Sequence, residues 1–183
     1  MRAFLALELP LDIKAYLQTV IAGMAARIKD VRWVREEGFH ITLKFLGEIE
    51  KDTAWRIKDM IPMIGTKYAP LPASIKSIDA FPSRRRAKVV VVKLRDGIEK
   101  IRSIFDDVEK GLLKLNIEPE EREYTPHITL GRVKRPQPLL EKNTFPLEEK
   151  RFVLDKLVLF QSILTKEGAQ YTPQGDIKLG GQE

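Results

Sequence analysis

The tetrapeptide His-Ile-Thr-Leu occurs twice, at His40 to Leu43 and at His127 to Leu130, and it accounts for both histidines of the chain. Successive side chains of a β-strand point to opposite faces, so His40 and Thr42 share one face while Ile41 and Leu43 share the other. The second copy sorts His127 and Thr129 from Ile128 and Leu130 in the same way. Each copy is therefore read as a strand with an apolar face for the core and a polar face carrying an imidazole and a hydroxyl. An imidazole exchanges protons near neutral pH, and two of them can serve together as acid and base. Threonine hydroxyls donate to anionic oxygens and stabilise charge that builds in a transition state. The first copy continues with Lys44 and the second with Gly131 and Arg132, whose guanidinium can grip a phosphate in bidentate fashion.

Other uses of these residues are weaker. Paired imidazoles also bind zinc, but a third ligand is then needed, and only Glu48 and Glu123 stand close to either motif. No metal is expected. A serine hydrolase is disfavoured because no Gly-x-Ser-x-Gly stretch is present to position a nucleophile. The run Arg84-Arg85-Arg86 with Lys88 reads first as a solvated turn and second as a contact for an RNA backbone. Trp33 reads as strand packing, whereas for Tyr124 packing and base stacking are evenly matched.

The elements that must position the two motifs recur in the same order. In the first half, Arg2 to Leu9 reads as a strand, followed by a helix with Ile13, Leu17, Val20, Ile21, Met24 and Ile28 on one face. Strand candidates VRWV (Val31 to Val34) and FHITLKFLGEI (Phe39 to Ile49) follow, separated by the polar turn Arg35 to Gly38. A shorter helix places Trp55, Ile57, Met60, Ile61 and Ile64 at its apolar positions. The second half offers a strand at Ile75 to Phe81, the basic turn, the buried-strand run Val89 to Val92, and a helix with Ile98, Ile101, Ile104, Phe105, Val108 and Leu112. The second HITL strand comes next. A proline-rich loop, KRPQPLL, leads to FVLDKLVLFQSIL and to strand candidates at Ala169 to Tyr171 and Asp176 to Leu179, with Gly168 as a turn.

At 183 residues the chain suits one domain or two small lobes. Its 43% hydrophobic content is that of a globular protein, and a formal net charge of +6 favours an anionic partner such as nucleic acid. Without cysteine there are no disulfides and no thiolate metal sites. The opening MRAFLALELP is interrupted by Glu8 and lacks a small-residue cleavage site, so it reads as a strand rather than a signal peptide. No apolar run approaches the roughly 20 residues of a membrane helix. A cytoplasmic protein without membrane association is expected.

The paired HxTx motifs, within MRAFLALELP, RWVREEGFHITLKFLGE, REYTPHITLGR and the later SILTKEGAQY, resemble the two-histidine phosphoesterase superfamily, and within it the RNA 2′,3′-cyclic phosphodiesterases, also called 2′-5′ RNA ligases. The resemblance implies an α+β fold of two pseudo-symmetric lobes, each an antiparallel sheet with helices on the outer face and an active-site cleft between them. It implies one bilobal domain over residues 1–183, with HxTx strands at 39–47 and 125–132, one per lobe. It further implies hydrolysis of a terminal RNA 2′,3′-cyclic phosphate to a 2′-phosphate without cofactor or metal, with reversible ATP-independent 2′-5′ ligation as a side activity. The motif histidines map to His40 and His127, the threonines to Thr42 and Thr129, and the phosphate-binding arginine to Arg132. The expected partner is RNA with a cyclic phosphate end, such as transfer RNA halves, acted on by a monomer. Two alternatives stand beside this one: a phosphoesterase for a small cyclic nucleotide-sugar phosphate, and a non-catalytic RNA-binding module.

Overall fold

A computed structural model describes residues 1–166 and 168–180; residues 181–183 of the expected domain, and Glu167 within SILTKEGAQY, lie outside the described residues. The elements run β1 (Arg2–Glu8), α1 (Leu11–Ala25), β2 (Val31–Trp33), β3 (His40–Glu48), α2 (Lys51–Gly65), β4 (Leu71–Phe81), β5 (Ala87–Leu94), α3 (Ile98–Leu113), β6 (His127–Gln137), β7 (Arg151–Leu154), β8 (Lys156–Thr165) and β9 (Gly168–Lys178). They form two antiparallel sheets, a four-stranded one ordered β3-β1-β8-β9 and a five-stranded one ordered β2-β6-β5-β4-β7. The fold is α+β, as the resemblance implied.

The repeat is visible in the strand order. In each sheet the HITL strand lies beside the strand that precedes a long helix, β3 beside β1 and β6 beside β5. The helices form where apolar residues recur at helical spacing: Ile13, Leu17, Val20, Ile21 and Met24 on α1, and Ile101, Ile104, Val108 and Leu112 on α3, are all buried. Together with the buried faces of both sheets they make one continuous apolar core. Trp55 departs from the expected pattern and is 63% exposed, because it sits off the face defined by Ala54, Ile57, Met60, Ile61 and Ile64.

Four further differences come from tertiary pairing. VRW belongs by sequence to the first half, yet β2 pairs with β6 in the second sheet. FVLDKLVLFQSIL divides at Asp155 into β7, which pairs with β4, and β8, which pairs with β1, so one apolar stretch serves both sheets. The KRPQ part of the expected loop is strand, since β6 extends to Gln137, which pairs with Ala87. The two C-terminal strand candidates form a single β9 along β8, and Gly168, at φ +132°, opens that strand.

Candidate active site

Both HITL strands begin at the histidine itself. Burial alternates as the sequence implies: His40 and Thr42 are partly open while Ile41 is fully buried, and His127, Ile128 and Thr129 repeat the pattern. Alternation then fails at the same place in both copies. Leu5 pairs with Lys44 and Ala6 with Thr42, which leaves Leu43 without a partner. Val90 pairs with Gly131 and Val91 with Thr129, which leaves Leu130 without one. Each copy thus carries a β-bulge after its threonine, and two successive residues turn inward, Leu43 and Lys44 in one and Leu130 and Gly131 in the other. Strict alternation from His127 would send Arg132 to the buried face. The bulge returns it to the open face with His127 and Thr129, and it returns Phe45, 61% exposed, to the face of His40 and Thr42.

The residue at the bulge differs between copies for a steric reason. β6 is flanked on its outer side by β2, and a Cβ at Gly131 would stand 2.6 Å from Val31 Cγ1 and 2.8 Å from Trp33 Cε3. At the edge of its sheet, β3 has room for Lys44, whose buried ammonium pairs with Glu109 at 2.9 Å and donates to the Glu118 carbonyl at 2.9 Å.

The structure brings the two motifs together. β3 packs against β6, and the Tyr124 hydroxyl, just ahead of β6, donates to the Thr42 carbonyl at 2.8 Å. Tyr124 also stacks on Phe105, with centroids 4.2 Å apart, so one face of its ring serves packing. Trp33 packs against the core, as read from the sequence.

The environments of the imidazoles are distinct. His40 lies against Phe4 (4.7 Å between centroids), Tyr171 (5.4 Å) and Phe160 (6.0 Å). Burial among these rings, the charge of Lys14 and that of His127 lower its pKa from 6.5 to about 3. Lys14 is held by Glu8 at 3.4 Å, and Glu8 is the direct cross-strand neighbour of His40. His127 meets the edge of Phe81 at 5.0 Å, and its Nδ1 donates to the Thr125 carbonyl at 2.7 Å. A neutral ring bonded in that way keeps Nε2 free to accept a proton. Burial lowers the His127 pKa, the Thr125 carbonyl raises it, and the Arg132 guanidinium lowers it. The same guanidinium acts on Tyr171 of the other sheet, although burial dominates there and raises the phenol pKa.

Sequence reading missed the aromatic setting of His40. Phe4 was accessible in principle, since Phe4, Ala6 and Glu8 alternate along β1. Phe160 and Tyr171 reach the imidazole only through the β1-β8-β9 pairing. Among the described residues no cluster of three or more histidine, aspartate or glutamate side chains is placed to hold a metal ion.

The family described as LigT like phosphoesterase matches residues 7–91 and, in a second copy, residues 92–171. The chain belongs to the LigT-like phosphoesterase family. Each matched segment contains one HITL strand, β3 in the first and β6 in the second. Among relatives of this LigT-like protein, the RNA 2′,3′-cyclic phosphodiesterase of Aeropyrum pernix is 32% identical over 86% of the chain and 96% of the relative. The protein of the same name from Methanothermobacter thermautotrophicus is 31% identical over 74% of the chain and 73% of its own length. In fold, the chain resembles TT0787 of Thermus thermophilus, with a TM-score of 0.84 at 23% identity over the full length of both. It also resembles E. coli LigT complexed with 3′-AMP, with a TM-score of 0.76 at 21% identity over 97% of each.

Proposed function

We propose that this LigT-like phosphoesterase is an RNA 2′,3′-cyclic phosphodiesterase, opening a terminal cyclic phosphate to a 2′-phosphate through an imidazole acid and base. The observation that carries the reading is the duplicated, identically bulged HITL strand, whose two copies pack against each other and are linked by the Tyr124–Thr42 hydrogen bond, with Arg132 on the face of His127 and Thr129. The names of the relatives support RNA as the substrate.

In this scheme water attacks phosphorus in line as the bond to O3′ breaks. His127 Nε2 takes the proton from water, and His40 protonates O3′ as it leaves. Thr42, Thr129 and Arg132 hold the non-bridging oxygens, where donors are most effective as charge builds. Burial, more than the charge of Lys14, holds the His40 imidazole below its ordinary pKa. The negative charge of the cyclic phosphate acts in the opposite direction to burial and to Lys14, raising the proton affinity of His40 and favouring its protonated, acidic form beside the substrate. With a 5′-hydroxyl in place of water the same steps join two ends by a 2′-5′ bond. No step draws on a metal. The reading takes the chain as a cytoplasmic monomer acting on RNA ends of the kind found on transfer RNA halves.

A short RNA ending in a 2′,3′-cyclic phosphate, incubated in EDTA with wild type, His40→Ala and His127→Ala, tests this. Wild type is expected to yield the 2′-phosphate, and each variant to be slowed by about 10²- to 10⁴-fold. Loss of wild-type activity in EDTA would replace the acid-base pair by a metal. Full activity in either variant would remove that histidine from the mechanism.

A further inference from the structure

We infer that Arg32 is a second phosphate-binding residue, which contacts the phosphodiester immediately 5′ of the terminal cyclic phosphate and thereby favours a polynucleotide end over a mononucleotide. This rests on the phosphodiesterase reading above and adds the part of the substrate that lies beyond the reacting group.

Arg32 is the central residue of β2 and the direct cross-strand partner of Arg132 on β6, and both are exposed. Directly paired side chains project from the same face of a sheet, with Cβ atoms about 4.5–5.5 Å apart. Since the bulge at Leu130 and Gly131 turns Arg132 toward His127, it places Arg32 on that face as well, one strand farther from the imidazole. Two guanidinium groups opposite each other repel and destabilise the strand pair. Among the described residues neither is offset by a carboxylate: no ion pair involves Arg32 or Arg132, and Asp30, the acid nearest in sequence to Arg32, is paired with Arg135 at 3.5 Å. Such a pair persists at low cost when an anion is its partner, and guanidinium suits phosphate oxygens better than any other side chain.

The position of the pair also excludes a redundant role. Arg132 shares the open face of β6 with His127 and Thr129, and in the scheme above it holds the terminal phosphate. Arg32 stands on the outer strand of the sheet, directly beside Arg132 and one strand farther from His127. The short β2 is fixed there by Val31 and Trp33, which close on Gly131. Its arginine is thus presented from a braced strand and not from a mobile loop.

Three substrates distinguish this role from simple support of Arg132: a nucleoside 2′,3′-cyclic phosphate, a dinucleotide with the same terminus, and that dinucleotide with its internal phosphate replaced by an uncharged methylphosphonate. The kcat/KM ratio of dinucleotide to mononucleotide is expected to fall about tenfold in Arg32→Gln and less in Arg32→Lys, as one charged hydrogen bond is lost. Methylphosphonate should impose the same loss on wild type and no further loss on Arg32→Gln. An unaltered ratio in Arg32→Gln, or a methylphosphonate penalty that persists in it, would overturn the inference while leaving the phosphodiesterase reading intact. Failure of wild type to turn over any of the three would overturn the phosphodiesterase reading, and this inference with it.

Discussion

Burial among Phe4, Phe160 and Tyr171, with Lys14 nearby, holds the His40 pKa at about 3 against an ordinary 6.5. This environment is a stability statement as much as a chemical one. Between those two values the unfolded chain binds a proton at His40 that the folded chain does not. His40 therefore favours the fold fully above pH 6.5 and withdraws that support as pH falls toward 3. His127, also lowered and chiefly by burial, acts with the same sign. Replacing His40 with Asn is expected to flatten the decline of the urea midpoint between about pH 7 and pH 4. If the two midpoint curves ran parallel, the imidazole would not be titrating in that window.

At the scale of elements, the bulge after each threonine decides which side chains meet the histidines. It converts a strand that would bury Arg132 into one that exposes it, and the absence of a side chain at Gly131 lets β2 close on β6 at that point. Gly131→Val therefore has a defined cost. The added atoms would overlap Val31 and Trp33, so a loss of about 1–3 kcal/mol is expected from overpacking, read from urea unfolding. Because β2 must shift to relieve the overlap, the dinucleotide preference attributed to Arg32 should weaken in the same variant. Wild-type stability in Gly131→Val would show that β2 is not seated as described.

Across the whole molecule, the first sheet is tied to α3 and to the segment ahead of β6 through a buried ion pair as well as through the core. Lys44, at the bulge of β3, reaches Glu109 on α3 and the Glu118 carbonyl, and Glu109 also accepts from the Glu120 amide at 3.0 Å. This connects the first HITL strand to the segment that leads into the second. Lys44→Ala strips Glu109 of its partner in a setting where the pair is only 6% and 12% exposed, and a loss of about 3–5 kcal/mol is expected. Lys44→Met combined with Glu109→Leu should recover most of it, since two apolar groups leave no charge unpaired. A loss below about 1 kcal/mol in Lys44→Ala would mean that Glu109 reaches water and that the tie is weak.

The paired HITL letters, their alternation, and the helical spacing around them are local properties of the chain, and they sufficed to identify His40, Thr42, His127 and Thr129 as the polar faces of two equivalent strands. The α+β class came with the family resemblance that those motifs carry. What local pattern could not convey is which strands become neighbours. Hydrogen bonding between strands ignores sequence distance, so β2 crossed to the second sheet and FVLDKLVLFQSIL was shared between both. A bulge is a mismatch between two strands and is legible in neither alone. For that reason the common orientation of Arg32, Arg132 and His127, and the aromatic burial that keeps His40 neutral, were decided only by the tertiary structure.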